Sequence, residues 1–122
     1  MIQKPLKWMD VDEARRVFPT WPQSVRDKFA DCLRPVQTGR QPLKLNTCKP
    51  WQGLGSGIHE LSSGPFRLIF AWKFPEAVYI LHIFKKDSAR GRKTRPEHVK
   101  AVERAWGTLK RQRAAQGFKD SH

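Results

Sequence analysis

The sequence predicts an α+β domain: a small, mostly antiparallel sheet with an N-terminal helical hairpin packed on it and a basic C-terminal helix. Three observations lead there. Apolar residues recur at helical spacing as far as Val36, and the pattern changes at Ile58 to alternating and continuous apolar runs. Helical spacing returns after Pro96. Helices, then strands, then a helix describe a segregated α+β layout with the helices on one face of the sheet. With 122 residues there is room for one core, so positions 1–122 are expected to form a single domain. Its ordered body should span about 5–110, followed by a basic helix end and a short disordered tail.

Residues 4–9 read as a short edge strand. Asp10 then opens Asp-Val-Asp-Glu, a capping box with Glu13, and Val11, Ala14 and Phe18 share one face of a short helix that Pro19 ends. A second helix starts near Trp21 and Pro22, with Thr20 and Gln23 as its capping box. Val25, Phe29, Cys32, Leu33 and Val36 form its apolar stripe, and Pro35 and Gly39 mark its end. The proline- and glycine-rich stretch 39–57 reads as loop. Strands follow at 58–62, 66–74 and 77–84, with a turn at Ser63-Gly64-Pro65. Strict alternation places Phe66, Leu68, Phe70, Trp72 and Phe74 on one face of the second of these, and Arg67, Ile69, Ala71 and Lys73 on the other. The run Ala77-Val-Tyr-Ile-Leu-His-Ile-Phe84 is apolar on both faces, which places it inside a sheet covered by helices. Val99, Val102, Trp106 and Leu109 form the stripe of the last helix.

Charge narrows the function. The chain carries 24 Lys and Arg against 11 Asp and Glu, a net charge of +13. Such a surface suits phosphate neutralisation and counterion release, so nucleic acid is the expected partner. Positions 85–119 hold twelve Lys/Arg and three acidic residues, so most of the surplus lies in the last third. No apolar run approaches the ~20 residues of a membrane span, and no secretory apolar segment follows the N-terminus, so no membrane partner and a cytoplasmic location are expected. Cys32 and Cys48 are too far apart for a CxxC motif and read as reduced apolar packers. No His, Cys and carboxylate cluster has metal-ligand spacing, and His59-Glu60 is not HExxH because Ser63 occupies the position of the second histidine. Neither a metal nor another cofactor is expected.

The runs Gly57-Ile-His-Glu-Leu61, Phe66-Arg-Leu-Ile-Phe-Ala71 and Ala77-Val-Tyr-Ile-Leu-His-Ile-Phe-Lys-Lys86, with the lead-in Lys49-Pro-Trp-Gln-Gly-Leu54, resemble the HigB-like, phage-derived branch of the RelE/ParE toxin superfamily. The resemblance covers roughly 5–110. It implies a RelE-like fold and the toxin of a type II toxin–antitoxin pair, a metal-independent endoribonuclease that cuts mRNA on the ribosome and is masked by a helix-turn-helix antitoxin. ParE-like relatives share the fold but inhibit DNA gyrase without catalysis; that reading, and a phage-derived nucleic-acid-binding protein without toxicity, remain alternatives. The basic character favours RNA.

Cleavage of this kind needs a base for the 2′-hydroxyl, cations for the phosphorane and a proton for the leaving 5′-oxygen. The resemblance assigns Arg67, Lys85 and Lys86 to the catalytic groove. Arg67 is also a natural partner for Glu60 on the adjoining strand, and the two roles are compatible. Arg90, Arg92, Lys93 and Arg95 form an expected RNA-binding arm, and Trp51, in a glycine- and proline-rich loop, is the aromatic expected to be exposed for RNA contact. His82 reads as a buried, satisfied histidine on the face of Val78, Ile80 and Phe84, and His98 as exposed. Tyr79 lies mid-strand and no histidine falls between Lys86 and His98, so the acid and base carry no assignment.

Overall fold

The structure is a computed structural model that describes residues 3–86 and 94–118. Five strands, β1 (Leu6–Trp8), β2 (Cys48–Pro50), β3 (Ile58–Ser63), β4 (Phe66–Ala71) and β5 (Val78–Lys85), form one sheet in the order β1-β5-β4-β3-β2. All neighbours are antiparallel except β1 and β5. Two long helices complete the fold, α1 (Gln23–Gln37) and α2 (Pro96–Ala115). This is the expected α+β architecture with a mostly antiparallel sheet.

The helices do not share one face. Val25, Phe29, Leu33 and Val36 of α1 pack against Leu61, Leu68, Phe70, Val78, Ile80 and Ile83. Val102 and Leu109 of α2 pack against Ile58, Ile69, Ala71, Tyr79, Leu81 and Phe84 on the other side. The doubly apolar β5 requires this, because an exposed face would leave one row of its large side chains in water. Phe70 is fully buried under α1. Phe70→Ala should cost about 3–5 kcal/mol, from lost burial and the cavity left behind, read as a lower urea midpoint.

Local structure departs from the expected pattern in several places. The first helix of the hairpin is a π-helical stretch, Glu13–Val17, running into a 3-10 turn, Phe18–Thr20. Pro19 therefore lies inside a helical turn instead of ending one. Asp10 does cap it, accepting the Glu13 N–H at 3.2 Å. The Thr20 hydroxyl turns back to the Val17 carbonyl instead of capping α1, and Pro35 is held within the last turn of α1. The stretch expected to be loop contains β2, a three-residue edge strand too short to show periodicity. Finally, β4 ends at Ala71, so Phe74 escapes the alternation and packs with Tyr79 and Trp106 on the α2 side.

A bulge alters β5. Ile69 faces His82 but Phe70 faces Ile80, which leaves Leu81 as an extra residue. One extra residue inverts the facing of everything beyond it. His82 and Phe84 therefore lie towards α2 beside Leu81, not with Val78 and Ile80.

Candidate functional site

The α2-side face of the sheet ends in a cluster of charge built by three strands and the residue after a fourth. Arg67 lies opposite Ser62 and Phe84 near the start of β4. Glu60 lies opposite Ile69 on β3, two positions along, so its side chain shares a face with Arg67 and the two meet diagonally. Lys49 of β2 lies directly opposite Glu60. Lys86 follows β5 and donates its backbone N–H to Pro65 in the β3–β4 turn.

Arg67 is held on several sides. Its Nη1 donates to the carbonyls of Gly64 at 2.6 Å and Phe66 at 3.0 Å, and its Nε lies 3.3 Å from Glu60 Oε2. The two side chains remain 17% and 21% exposed, so the pair is reachable from solvent and Arg67 is not enclosed in apolar packing. Burial raises the Glu60 carboxyl above its ordinary value, and this outweighs the lowering by Arg67, Lys86 and Lys49. A carboxylate with raised basicity surrounded by three cations can accept a proton and then sit beside an anion.

Lys85 goes elsewhere. Its ammonium lies 5.5 Å from the centroid of the Phe66 ring, a residue packed against the α1-side core. Successive strand residues point to opposite faces, so Lys85 and Lys86 cannot both join Arg67. Trp51 corrects an expectation: it is 8% exposed and packed in the α2-side core, with its backbone N–H bonded to Ile58. The strand pairing of β2 draws the following residue inwards, which loop composition did not reveal. Arg95 is the residue before α2, whose first turn carries Glu97. Arg90, Arg92, Lys93 and the final tail lie outside the described residues.

Histidines border the cluster. His98 stacks on Phe84, the residue opposite Arg67, at 4.2 Å between ring centroids, and its Nδ1 lies 3.1 Å from His82 Nε2. His98 is thus three-quarters buried instead of exposed. Burial, with His98 pushing the same way, holds His82 at about 4, so its ring is neutral at pH 7. Among the described residues there is no group of three or more His, Cys, Asp or Glu arranged to hold a metal ion. No helix among them is long and apolar enough to cross a membrane.

Sequence reasoning anticipated the Arg67–Glu60 contact and named Arg67 and Lys86 as candidates. It missed Lys49 and the altered basicity of Glu60. The Lys-Pro-Trp lead-in marked Lys49, but only the β2–β3 register places it opposite Glu60.

A family model for phage-derived Gp49-like proteins matches residues 16–106. No curated protein matches the sequence significantly. Among solved structures, a chain in the crystal structure of the RelBE2 toxin–antitoxin complex from Mycobacterium tuberculosis is similar, at 17% identity and a TM-score of 0.42. The alignment covers 70% of this chain and 94% of that one.

Proposed function

From the premise that the chain belongs to the phage-derived Gp49-like family, a RelE/HigB-type toxin family, we propose that it is the toxin of a type II toxin–antitoxin pair and cuts mRNA on the ribosome. The observation that supports this most directly is the Glu60 carboxylate, half-buried, raised in basicity and surrounded by Arg67, Lys86 and Lys49. In the proposed reaction, Glu60 takes the proton of the 2′-hydroxyl and the 2′-oxygen attacks the adjacent phosphorus. The bond to the 5′-oxygen breaks, and water protonates the leaving oxygen, giving a 2′,3′-cyclic phosphate and a 5′-hydroxyl. Arg67 and Lys86 stabilise the negative charge that gathers on the phosphorane oxygens. Lys85, on the opposite face, contacts the RNA or ribosome away from the reacting phosphate. Arg90, Arg92, Lys93 and Arg95 bind RNA phosphates in this reading. A helix-turn-helix antitoxin is the proposed partner that masks the cluster.

Translation extracts supplied with the protein test this reading. Cuts mapped by their 5′-ends within translated messages are expected, with untranslated RNA left intact. DNA damage with intact messages would instead identify a gyrase inhibitor, and overturn the nuclease. The base role predicts a pH profile: cleavage rises with pH as Glu60 loses its proton. Glu60→Gln should lower the rate by ~10²–10⁴-fold and flatten that limb, measured in single-turnover cleavage across pH 5–8.

A further inference from the structure

The opposite end of the β3–β4 pair holds a second concavity, on the α1 side of the sheet, that the Arg67 cluster on the other face does not use. A cavity of about 300 Å³ is lined by Gly55, Ser56, Gly57, His59, Trp72 and Lys73 among others. It adjoins one of about 510 Å³ that shares His59 and Trp72 and reaches Lys44 and Asn46. Both volumes lie within or close to the range of pockets that hold small ligands.

Its wall is chemically specific. Gly53, Gly55 and Gly57 have φ of 100°, 87° and 95°, and no other type of residue in the described chain has positive φ. The sign of φ therefore alternates through Leu54 and Ser56. The Lys73 ammonium gives one of its three donors to Ser56 Oγ at 2.7 Å and lies 5.6 Å from the centroid of the Trp72 ring. A side chain at position 57 would press on Lys73, whose Cδ lies 3.0 Å from where a Cβ would stand. Glycine there keeps the lysine close to the loop. His59 Nδ1 accepts the Trp72 indole N–H at 3.0 Å, so the neutral ring carries its own proton on Nε2 as a donor. Burial, with Lys73 acting the same way, lowers the His59 basicity and outweighs a backbone hydrogen bond to Ile58 that raises it.

A cation, a hydroxyl and an imidazole N–H thus stand beside an indole. Together they can hold a phosphate and stack a base. We propose that this pocket binds one phosphate-bearing nucleotide of a single-stranded RNA, at a position distinct from the linkage that is cut. The proposal rests on the reading of the protein as one that acts on RNA, but not on its catalysis.

The probe is 2′-O-methyl tetraadenylate, which lacks the 2′-hydroxyl and cannot be cleaved, titrated into the ¹⁵N-labelled full chain at low salt. The amide signals of Gly55, Ser56 and Gly57 and the Trp72 indole signal should move. Lys73→Gln should weaken the binding read at these signals at least fivefold, and Lys73→Arg should restore it to within about twofold. The two variants together separate a lost charge from a lost fold. Loop signals unmoved at saturation, or unaltered binding by Lys73→Gln, would overturn the pocket. Equal affinity for 5′-AMP and the oligonucleotide would overturn RNA as its occupant. Failure of cleavage in translation extracts leaves these shifts in place, so the two readings fail separately.

Discussion

Arg67→Ala is expected to lower cleavage of translated mRNA by at least ~10²–10³-fold while the protein stays folded. Arg67 supplies the cation that pairs with Glu60, and a largely buried guanidinium beside developing charge is worth more there than in solvent. Its remaining bonds go to carbonyls of the adjacent turn, Gly64 and Phe66, which water can satisfy in its place. Glu60 would keep Lys86 and Lys49 near it, so the truncation does not leave a lone buried charge. Growth arrest on expression should disappear, and circular dichroism and the melting temperature should change little. Full toxicity of Arg67→Ala, with cuts at the same sites, would remove Arg67 from the reaction.

A large expected effect on stability lies at the other end of the molecule. Arg113, 4% exposed, grips Glu76 with two bonds, Nε to Oε2 at 2.7 Å and Nη2 to Oε1 at 3.0 Å. The Tyr79 hydroxyl donates to the same Oε2 at 2.7 Å, and the Arg113 guanidinium lies 3.8 Å from the Phe74 ring centroid and 4.6 Å from that of Phe118. This arrangement ties the end of α2 to the β4–β5 connection. Arg113→Met should cost about 3–5 kcal/mol, because it leaves the carboxylate without its partner in a largely dry site.

Acid should dissolve the same clamp. Burial pushes the Glu76 carboxyl up, but the bonds from Arg113 and Tyr79 prevail and hold it at about 2, below its ordinary 4.5. Burial and Glu76 together raise Tyr79 to about 12, so it stays a donor throughout. A depressed carboxylate contributes stability that is complete above about 4.5 and is lost as pH falls through about 2. The contribution is about 3 kcal/mol. Urea melts from pH 6 down to pH 2 should show this loss in the wild type. Glu76→Gln should be less stable at pH 6 and lack that component of the acid slope; an unchanged slope would show that Glu76 is not the titrating group.

Much of the architecture was legible because periodicity is a local property. The stripe Val25, Phe29, Leu33, Val36 is buried as its spacing requires, and Val102 and Leu109 likewise. Strands β3, β4 and β5 lie within a few residues of their expected limits. Arg67 and Glu60 do meet, because β3 and β4 form a tight hairpin whose turn fixes their register. What local spacing could not carry is the placement of short or irregular pieces. Strand β2 is too brief to alternate, so Lys49 and Trp51 were indistinguishable from loop residues until β3 paired with it. The bulge at Leu81 likewise leaves no mark in an apolar run, yet it decides where His82 and Phe84 point.

The sequence by itself determined the α+β class, the order of the two long helices and of strands β3, β4 and β5, the apolar stripes of both helices and the crowding of positive charge after β5. The tertiary structure alone decided which face each helix covers, the separation of Lys85 from Lys86, and the enclosure of Glu60 by three cations. The division has one physical cause. Backbone preference and hydrophobic spacing act over a few residues, whereas facing, burial and basicity depend on register between strands far apart in the chain.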